Sequence, residues 1–376
     1  MCSTEFPPDS GGIGIYMYEL AKGLHHAGWL VEMVTLQQFS TPETITAFNT
    51  VQPFPITQMQ SRKDGASIRQ IARRFKPDLI VGTDLPCTWL AWQAAVLHRI
   101  PLVAIAIGSE FRHSRFPRYQ MKQLVYNTCL QVVSISQFTA DLMHSVGINP
   151  RRESIIYPGG DEVLHRPDVD SAFLRDRYAL HGKRIILTMG SLSSRKGQDV
   201  VIQAMPKILQ QHPHAHYLIA GRDRTDGEFL ALVNKMGLQD SVTFAGMIPN
   251  EEKSAYYNLV DVCAITSRNT HVDVEGYGIV VIEAALCRRT SVGTTGTGTA
   301  EAIVDGKTGL LVPQDDPSAT AKVINQLLGD DDLRHKLQSQ AYDRASNDCT
   351  WSARMQEFDA LFRQLVAKDY PPRTRS

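Results

Sequence analysis

The stretch Glu275-Gly-Tyr-Gly-Ile-Val-Val-Ile-Glu283, which continues into Ala-Ala-Leu, organises the fold prediction. Two glycines directly after the first glutamate, and then an apolar run of good helix formers, predict a tight turn that opens a buried helix. Free backbone N–H groups at such a start, together with the helix dipole, favour the binding of an anion. In a continuous helix Glu275 and Glu283 would lie roughly 12 Å apart along the axis, whereas the paired carboxylates of a glycosidase lie ~5–9.5 Å apart. We therefore expect the two acids to do different jobs around one ligand; the alternative is a core helix with one solvated and one capping glutamate.

The composition bounds the class of protein. The chain of 376 residues is long enough for two domains of ordinary size. Lys plus Arg and Asp plus Glu number 39 each, so no overall field favours nucleic acid as a partner. The six cysteines include no C-x2-C pair, which argues against a disulfide framework and a zinc site. Because the sequence contains neither a signal-peptide pattern nor a run of 18 apolar residues, we expect a cytoplasmic chain that does not span a membrane.

The first half of the chain alternates strands and helices, which predicts a doubly wound parallel sheet with ligands beyond the carboxyl ends of its strands. It opens with Met1–Pro8, which reads as the tail of a strand and a loop, so either the first strand is a stub or the true start lies upstream. A Gly-rich loop at 9–14 then enters a helix that ends before Gly28. The predicted strands are 30–36, 77–82, 102–107, 131–135 and 154–157, and the predicted helices include 85–98 and 137–146.

A linker and a second α/β half follow. Pro158, Gly159-Gly160 and Pro167 end regular structure, and we predict domains over 1–160 and 161–348, with a C-terminal helix over 349–368 that crosses back to the first domain. Two similar Rossmann-like halves imply a cleft between them. The predicted strands are 184–189, 216–220, 242–245, 262–266 and 291–293, and the predicted helices are 199–211, 229–236, 251–259 with Asn250 as its N-cap, 279–286, 317–328, 332–345 and 350–366.

Charged residues follow the first strand of this second half. The sequence Gly190-Ser-Leu-Ser-Ser-Arg195-Lys196-Gly197 brings two cations to a strand end. At ~4 Å and an effective dielectric of ~20 each cation would gain about 4 kcal/mol against a phosphate charge before desolvation. Arg195 and Lys196 are therefore predicted to bind a diphosphate.

In order and spacing these segments resemble the retaining glycosyltransferases of the GT-B fold, family 4 (glycosyl transferases group 1), over almost the whole chain. Glu275 and Glu283 match the E-x7-E motif of that family. Further matching segments are the Gly-rich loop at Gly12, Ala220-Gly-Arg222, Phe244–Ile248, Thr294–Glu301 and Gly309–Pro313. The chain departs from the family at three positions, with Ile107 where many members have histidine, Ser191 where they commonly have arginine, and Ala300 in place of a proline.

The resemblance implies a metal-independent, retaining hexosyltransferase that needs no cofactor and takes its sugar from a nucleotide-diphosphate donor. Glu275 would approach the transferred sugar, Glu283 would accept hydrogen bonds from the ribose hydroxyls, and the departing phosphate would assist deprotonation of the acceptor. The donor-binding positions that it implies are Gly12, Gly190, Arg195, Lys196, Gly221, Ile248, Gly278, Ile279, Val280 and Glu283. Since Ile107 can neither donate nor accept a hydrogen bond, we expect Glu110 or His113 to contribute instead of the family histidine, and we assign Glu110 together with Glu275 as catalytic.

The acceptor is the less defined partner. The family suggests a glycan or a lipid-linked acceptor, as in the biosynthesis of a surface polysaccharide or glycolipid. In one segment the basic residues Arg112, Arg115, Arg118 and Lys122 are interleaved with the aromatic residues Phe111, Phe116 and Tyr119. This pattern predicts contact with the anionic inner face of a membrane, a phosphate-bearing acceptor, or an ordinary solvated loop and helix face. Two other functions stay open, a nucleotide-sugar epimerase or hydrolase on the same fold and a non-catalytic subunit that binds a nucleotide sugar.

Overall fold

The computed structural model describes residues 1–8, 11–37, 40–112 and 118–369. The chain divides into two compact units. The first contains Met1–Pro158 and the chain from Trp351 onwards, and the second contains Gly159–Thr350. The sequence analysis sets the corresponding boundaries after residues 160 and 348.

The first unit is built on a parallel sheet. Its strands are β1 (Cys2–Ser3), β2 (Met33–Thr35), β3 (Ile56–Gln58), β4 (Ile80–Thr83), β5 (Leu102–Ala106), β6 (Gln131–Ser134) and β7 (Glu153–Ile155). They pair in the order β3-β2-β1-β4-β5-β6-β7, so the two-residue strand β1 lies inside the sheet between β2 and β4. All five residues of β5 are buried, as expected of a strand covered on both faces.

Helices connect these strands. They are α1 (Gly12–His26), α2 (Pro42–Thr50), α3 (Gly65–Phe75), α4 (Leu85–His98), α5 (Arg118–Thr128) and α6 (Gln137–Ser145). Side-chain oxygens of Asp64, Asp84 and Ser136 accept backbone N–H groups at the starts of α3, α4 and α6. Neither α2 nor α3 was predicted from the sequence. Helix α3 buries only Gly65, Ile68 and Ala72, so its apolar stripe is too narrow to stand out among arginines.

The second unit repeats the arrangement. Its strands are β8 (Arg184–Met189), β9 (Ala215–Ala220), β10 (Val242–Gly246), β11 (Val262–Ile265), β12 (Ser291–Thr294) and β13 (Gly309–Val312), and its helices are α7 (Ala172–Arg177), α8 (Gln198–Gln211), α9 (Glu228–Lys235), α10 (Lys253–Leu259), α11 (Ile279–Leu286), α12 (Thr299–Ala302), α13 (Pro317–Gly329) and α14 (Asp331–Asp348). The parallel order β10-β9-β8-β11-β12-β13 confirms the prediction of two doubly wound sheets. The assignment of Asn250 as an N-cap is wrong, because Asn250 begins a 3-10 turn (Asn250–Glu252) ahead of α10 and makes no side-chain cap.

The last helix, α15 (Trp351–Asp369), belongs to the first unit. Its residues Phe358, Phe362 and Leu365 are buried, and a Cβ added to Gly23 of α1 would come within 2.4 Å of Met355. A hydrogen bond from Trp29 Nε1 to Asp359 (2.7 Å) adds a polar contact. Helix α15 is therefore an integral part of the first unit.

Candidate active site

The turn before α11 positions the first motif glutamate. Gly278 has φ +82°, a left-handed conformation that glycine adopts without strain, and α11 begins at the next residue. The backbone of Glu275 and Gly276 lies against Gly298, whose N–H donates to the Glu275 carbonyl at 2.9 Å. A Cβ at residue 298 would come within 2.1 Å of the Gly276 oxygen, so this close approach requires glycine.

Two cations meet the carboxylate of Glu275. Lys196 Nζ donates to Glu275 Oε2 at 2.6 Å, and Arg195 Nη1 donates to the same oxygen at 2.5 Å. The hydroxyl of Ser267 donates to it at 3.2 Å. Arg195 also donates through Nε to Asp273 at 2.6 Å, so it bridges two acids. The two predicted phosphate ligands and the predicted catalytic acid thus form one cluster at the start of α11.

The charges in this cluster fix the ionisation of Glu275. Burial alone would raise the pKa of the Glu275 carboxyl, but the adjacent Lys196 and Arg195 outweigh burial and lower it to about 2. The two carboxylates in turn raise the pKa of Arg195 against the effect of its own burial. Glu275 is therefore an anion at any physiological pH, and its cations are held beside it before a ligand arrives.

Glycines occupy the carboxyl ends of the three strands β8, β9 and β10. Gly190 N–H donates to the Ala220 carbonyl and Gly221 N–H to the Gly246 carbonyl, each at 2.8 Å. A Cβ at Gly221 would come within 2.1 Å of the Gly190 oxygen. Ile248 follows this edge and is half-buried. The predicted donor positions Gly190, Gly221 and Ile248 therefore share the sheet edge to which the Arg195–Lys196 turn also belongs.

Glu283 lies on α11 with different partners from those of Glu275. Tyr257 of α10 donates its hydroxyl to Glu283 Oε2 at 2.7 Å, and His165 Nε2 lies 3.9 Å from the same oxygen. Although burial would raise the pKa of Glu283, the nearby positive charges and the Tyr257 hydroxyl lower it. Ile279 and Val280, in the first turn of α11, are half-buried, whereas Val281 and Ile282 are buried in the core.

Glu110 and Gly12 belong to the first unit. Glu110 follows β5, and its Oε1 accepts the Ile107 N–H at 2.8 Å and the Tyr126 hydroxyl at 3.3 Å. Its Oε2 is buried without a hydrogen-bond partner, and burial raises the pKa of Glu110 to about 7. Its carboxyl group is thus turned inward to the end of β5. Gly12 is the exposed first residue of α1, and His113 lies outside the described residues.

The predicted basic–aromatic segment is partly internal. Phe111 and Lys122 are each 3% exposed, and Lys122 Nζ donates to the Arg112 carbonyl at 3.5 Å. Burial lowers the pKa of Lys122 against the opposing charge of Glu110. Arg118 and Tyr119 are exposed, so a membrane or an acceptor could contact them. Arg115 and Phe116 lie outside the described residues.

Several contacting residues escaped the sequence analysis. Asp273, two residues before Glu275, had a usable signal as an acid next to the motif. Tyr257 and His165 had none, because only the fold brings them to Glu283. Asp84, which accepts hydrogen bonds from the N–H and hydroxyl groups of Thr4, also had none.

The described part of the chain holds no group of three or more His, Cys, Asp or Glu side chains arranged to bind a metal ion. The sequences Asp168-Val-Asp170 and Asp330–Asp332 both have the Asp-x-Asp spacing. Over the same described ranges, none of the helices combines the length and the apolar character needed to cross a bilayer.

Two known families match the chain, one over each half. Residues 10–162 match the family described as Glycosyltransferase Family 4, and residues 170–344 match the family described as Glycosyl transferases group 1. The chain is 29% identical to a D-inositol 3-phosphate glycosyltransferase of Corynebacterium efficiens, over 75% of this chain and 70% of that protein. It is 28% identical to a GDP-mannose-dependent alpha-(1-6)-phosphatidylinositol monomannoside mannosyltransferase of Mycolicibacterium smegmatis, over 88% and 89% of the two chains.

Solved structures share the fold. The structure of Anabaena HepE in complex with UDP and glucose has a TM-score of 0.83 at 20% identity, covering 97% of this chain and 98% of that one. A sucrose-phosphate synthase of Thermosynechococcus elongatus has a TM-score of 0.81 at 23% identity, covering 95% and 94%.

Proposed function

We propose that this chain takes a hexose from a nucleotide sugar and transfers it, with retention of anomeric configuration, to a phosphate-bearing polyol or a lipid-linked glycan. The matches of its two halves to Glycosyltransferase Family 4 and to Glycosyl transferases group 1, and the glycosyltransferases among its relatives, support this proposal. The observation that carries the proposal is the junction of Lys196 and Arg195 with Glu275 at the start of α11. The names of the relatives, which act on inositol 3-phosphate or on a phosphatidylinositol mannoside, suggest the acceptor class.

The electrostatics of the cluster support the roles that we assign. Arg195 and Lys196 balance Asp273 and Glu275, so the site has two cations and two acids before a donor binds. A diphosphate must compete for the cations, and we propose that Lys196 turns to it while Arg195 stays bound to Asp273. Backbone N–H groups of Ile279 and Val280 add partial positive charge from the helix start. These groups would stabilise the charge that builds on the departing nucleotide, which is why we propose that no metal is needed.

The low pKa of Glu275 supports a retaining mechanism. A general base works best when its pKa lies near the operating pH, and a carboxyl with a pKa of about 2 is far from that condition. We propose that Glu275 stabilises positive charge on the transferred sugar and that the departing phosphate accepts the proton of the acceptor hydroxyl. NMR spectroscopy of the product with EDTA in the reaction tests both points. An inverted anomeric bond would exclude retention, and loss of activity that added Mg²⁺ restores would exclude metal independence.

The donor is tested by direct binding. We expect one of GDP-mannose, UDP-glucose, ADP-glucose and dTDP-glucose to bind in calorimetry, and Lys196→Ala to weaken its affinity by about 10–100-fold, the range for a lost hydrogen bond between charged groups. The control is Lys207→Ala, because Lys207 is exposed on α8 and contacts Ser318 instead. Equal affinities in wild type and Lys196→Ala would remove the proposed role of Lys196, and binding of none of the four would count against the function.

We also propose cytoplasmic location with contact to the anionic inner face of a membrane through the exposed Arg118–Tyr119 end of α5. Co-sedimentation with vesicles that contain phosphatidylserine should weaken on raising the salt concentration. At low salt Arg118→Glu should bind more weakly than wild type. Binding that is absent or independent of salt would refute the contact.

A further inference from the structure

A buried histidine faces the second motif glutamate without making a hydrogen bond. His165 is 4% exposed, and its Nε2 has no hydrogen-bond partner although it lies 3.9 Å from Glu283 Oε2. Buried polar atoms are almost always satisfied, so an unpaired one directed at a functional side chain calls for an explanation.

The backbone holds His165 in this position. Asp161 Oδ1 accepts the N–H groups of Val163 and Leu164 at 2.9 Å each, and the Asp161 carbonyl accepts the His165 N–H at 2.8 Å. The next residue, Arg166, is tied to α10, since its carbonyl accepts hydrogen bonds from Ser254 and Asn258. The turn therefore has little freedom to move His165 away from the carboxylate.

The residues that precede His165 are also close to α11. A Cβ added at Gly160 would come within 2.5 Å of Leu286 and 3.0 Å of Ile282. The segment 160–166 thus packs between α10 and α11, the two helices that carry Tyr257 and Glu283.

Contacts with Asp161 and Tyr257 orient the ring of His165. Its Nδ1 lies 3.2 Å from the Asp161 carbonyl oxygen, and its ring meets the Tyr257 ring edge to face at 5.7 Å. Both ring nitrogens therefore face oxygen atoms, which accept hydrogen bonds from an imidazole N–H. Tyr257 and His165 both approach Oε2 of the Glu283 carboxylate. Among the described residues, no hydrogen-bond donor contacts its second oxygen, Oε1. Glu283 keeps 12% of its side chain exposed.

We propose that His165 is a positioning residue that, together with Tyr257, fixes the Glu283 carboxylate. Held in this way, Glu283 Oε1 accepts hydrogen bonds from the hydroxyl groups of the donor ribose. His165 thereby sets the preference for ribonucleotides over 2′-deoxyribonucleotides. The Nε2–Oε2 gap closes when the nucleotide binds, since such contacts are often long before a ligand is present. This inference rests on the proposed role of Glu283 at the donor.

A matched set of variants tests the proposal. Calorimetry with UDP, GDP and ADP, with their 2′-deoxy counterparts and with dTDP gives the ribo preference of each protein. His165→Asn keeps a polar group near Nδ1 but does not reach Glu283, whereas His165→Gln reaches the position of Nε2. We expect the preference to fall at least about fivefold in His165→Asn and to stay within about twofold of wild type in His165→Gln, because the discrimination depends on a hydrogen bond to a charged group.

Each outcome decides between the alternatives. A wild-type preference in His165→Asn, or no preference in wild type, overturns the inference and leaves the proposed function standing. If wild type binds none of these nucleotides, both are overturned. If circular dichroism shows that the His165 variants do not fold, Tyr257→Phe, which removes only a hydroxyl group, should show the same fall in preference, and an unchanged preference there overturns the inference.

Discussion

At the scale of single residues, two buried carboxyl groups have pKa values shifted in opposite directions. Glu275 is stabilised as an anion because Lys196 and Arg195 touch it. Among the described residues, Glu110 accepts hydrogen bonds from the Ile107 N–H and the Tyr126 hydroxyl, and burial is the main cause of its raised pKa. A glutamate side chain is thus an anion at residue 275 in the second unit, whereas at residue 110 in the first unit it titrates near neutral pH.

Replacing the anion at residue 275 tests catalysis separately from binding. Glu275→Gln should reduce the transfer rate at least about 100-fold, because it removes a charge placed to stabilise the transition state, while donor affinity stays within several-fold. Initial rates and calorimetry measure the two quantities. The control Glu252→Gln removes a carboxylate from the partly exposed pair with Arg177 and should change neither. An equal loss of affinity and rate in Glu275→Gln would make Glu275 a binding group only.

Glu110 makes stability depend on pH. Its pKa is about 7 in the folded protein and near 4.5 in the unfolded chain. The unfolded chain therefore ionises first, and the stability contributed by the protonated carboxyl is fully present below pH ~4.5 and is lost as the pH rises to ~7. The free energy of unfolding should fall over this window by on the order of 3 kcal/mol from this group.

The side chain in Glu110→Gln cannot ionise. Urea unfolding at pH 5 and pH 8 should therefore show a smaller fall in the free energy of unfolding between the two pH values in Glu110→Gln than in wild type. Asp84, whose pKa burial raises to about 6, is present in both proteins, so the difference between them reports Glu110. Parallel pH profiles for variant and wild type would show that Glu110 does not titrate in this range.

At the scale of elements, glycines set how closely the site loops pack. Gly197, between Lys196 and α8, has φ +69°, and a Cβ there would come within 1.9 Å of the Thr266 carbonyl oxygen. The Thr266 hydroxyl also donates to the Gly197 carbonyl at 2.7 Å. The loop that carries Lys196 is therefore fixed against the end of β11, from which the chain runs on to Glu275.

A pair of glycine variants separates crowding from backbone strain. Gly197→Ala should lower the melting temperature and weaken donor affinity, since rigid backbone atoms block the new methyl group. Gly237→Ala has nearly the same φ, +67°, with no atom within 4 Å of its Cβ, so it should cost only the strain of a left-handed residue, about 1 kcal/mol, and leave affinity unchanged. Similar effects in both variants would mean that backbone strain alone explains them.

At the scale of the whole molecule, the chain is two units with separate cores. The core of the second unit includes Ile186 and Leu337 and is formed within Gly159–Thr350. The first unit, in contrast, is completed only by α15 at the end of the chain.

We therefore expect residues 159–350 to fold alone and to bind the donor nucleotide, whereas residues 1–158 without α15 should aggregate because the apolar face of α1 is uncovered. Circular dichroism, thermal unfolding and calorimetry on the two fragments check this expectation, with the full chain as control. A folded 1–158 fragment would show that α15 is dispensable for the first unit.

Local pattern was enough to predict most regular elements. Buried strands such as β5 and β8 are continuous apolar runs, and α11 follows a Gly-rich turn, so its bounds, 279–286, were predicted correctly. Elements with little buried surface, such as α2 and α3, were missed because their stability comes from caps and from contacts with distant residues.

The sequence by itself determined two doubly wound parallel sheets and brought the cations Arg195 and Lys196 to a strand end, where ligands bind in such sheets. The resemblance to family 4 added that Glu275 acts on the same donor. Only the tertiary structure decided that Arg195 bridges Asp273 and Glu275, that His165 faces Glu283, and that Lys122 and Glu110 are buried. The physical reason is that ion pairing, burial and pKa depend on which side chains meet across the fold, and residues far apart in sequence leave no local signal of that meeting.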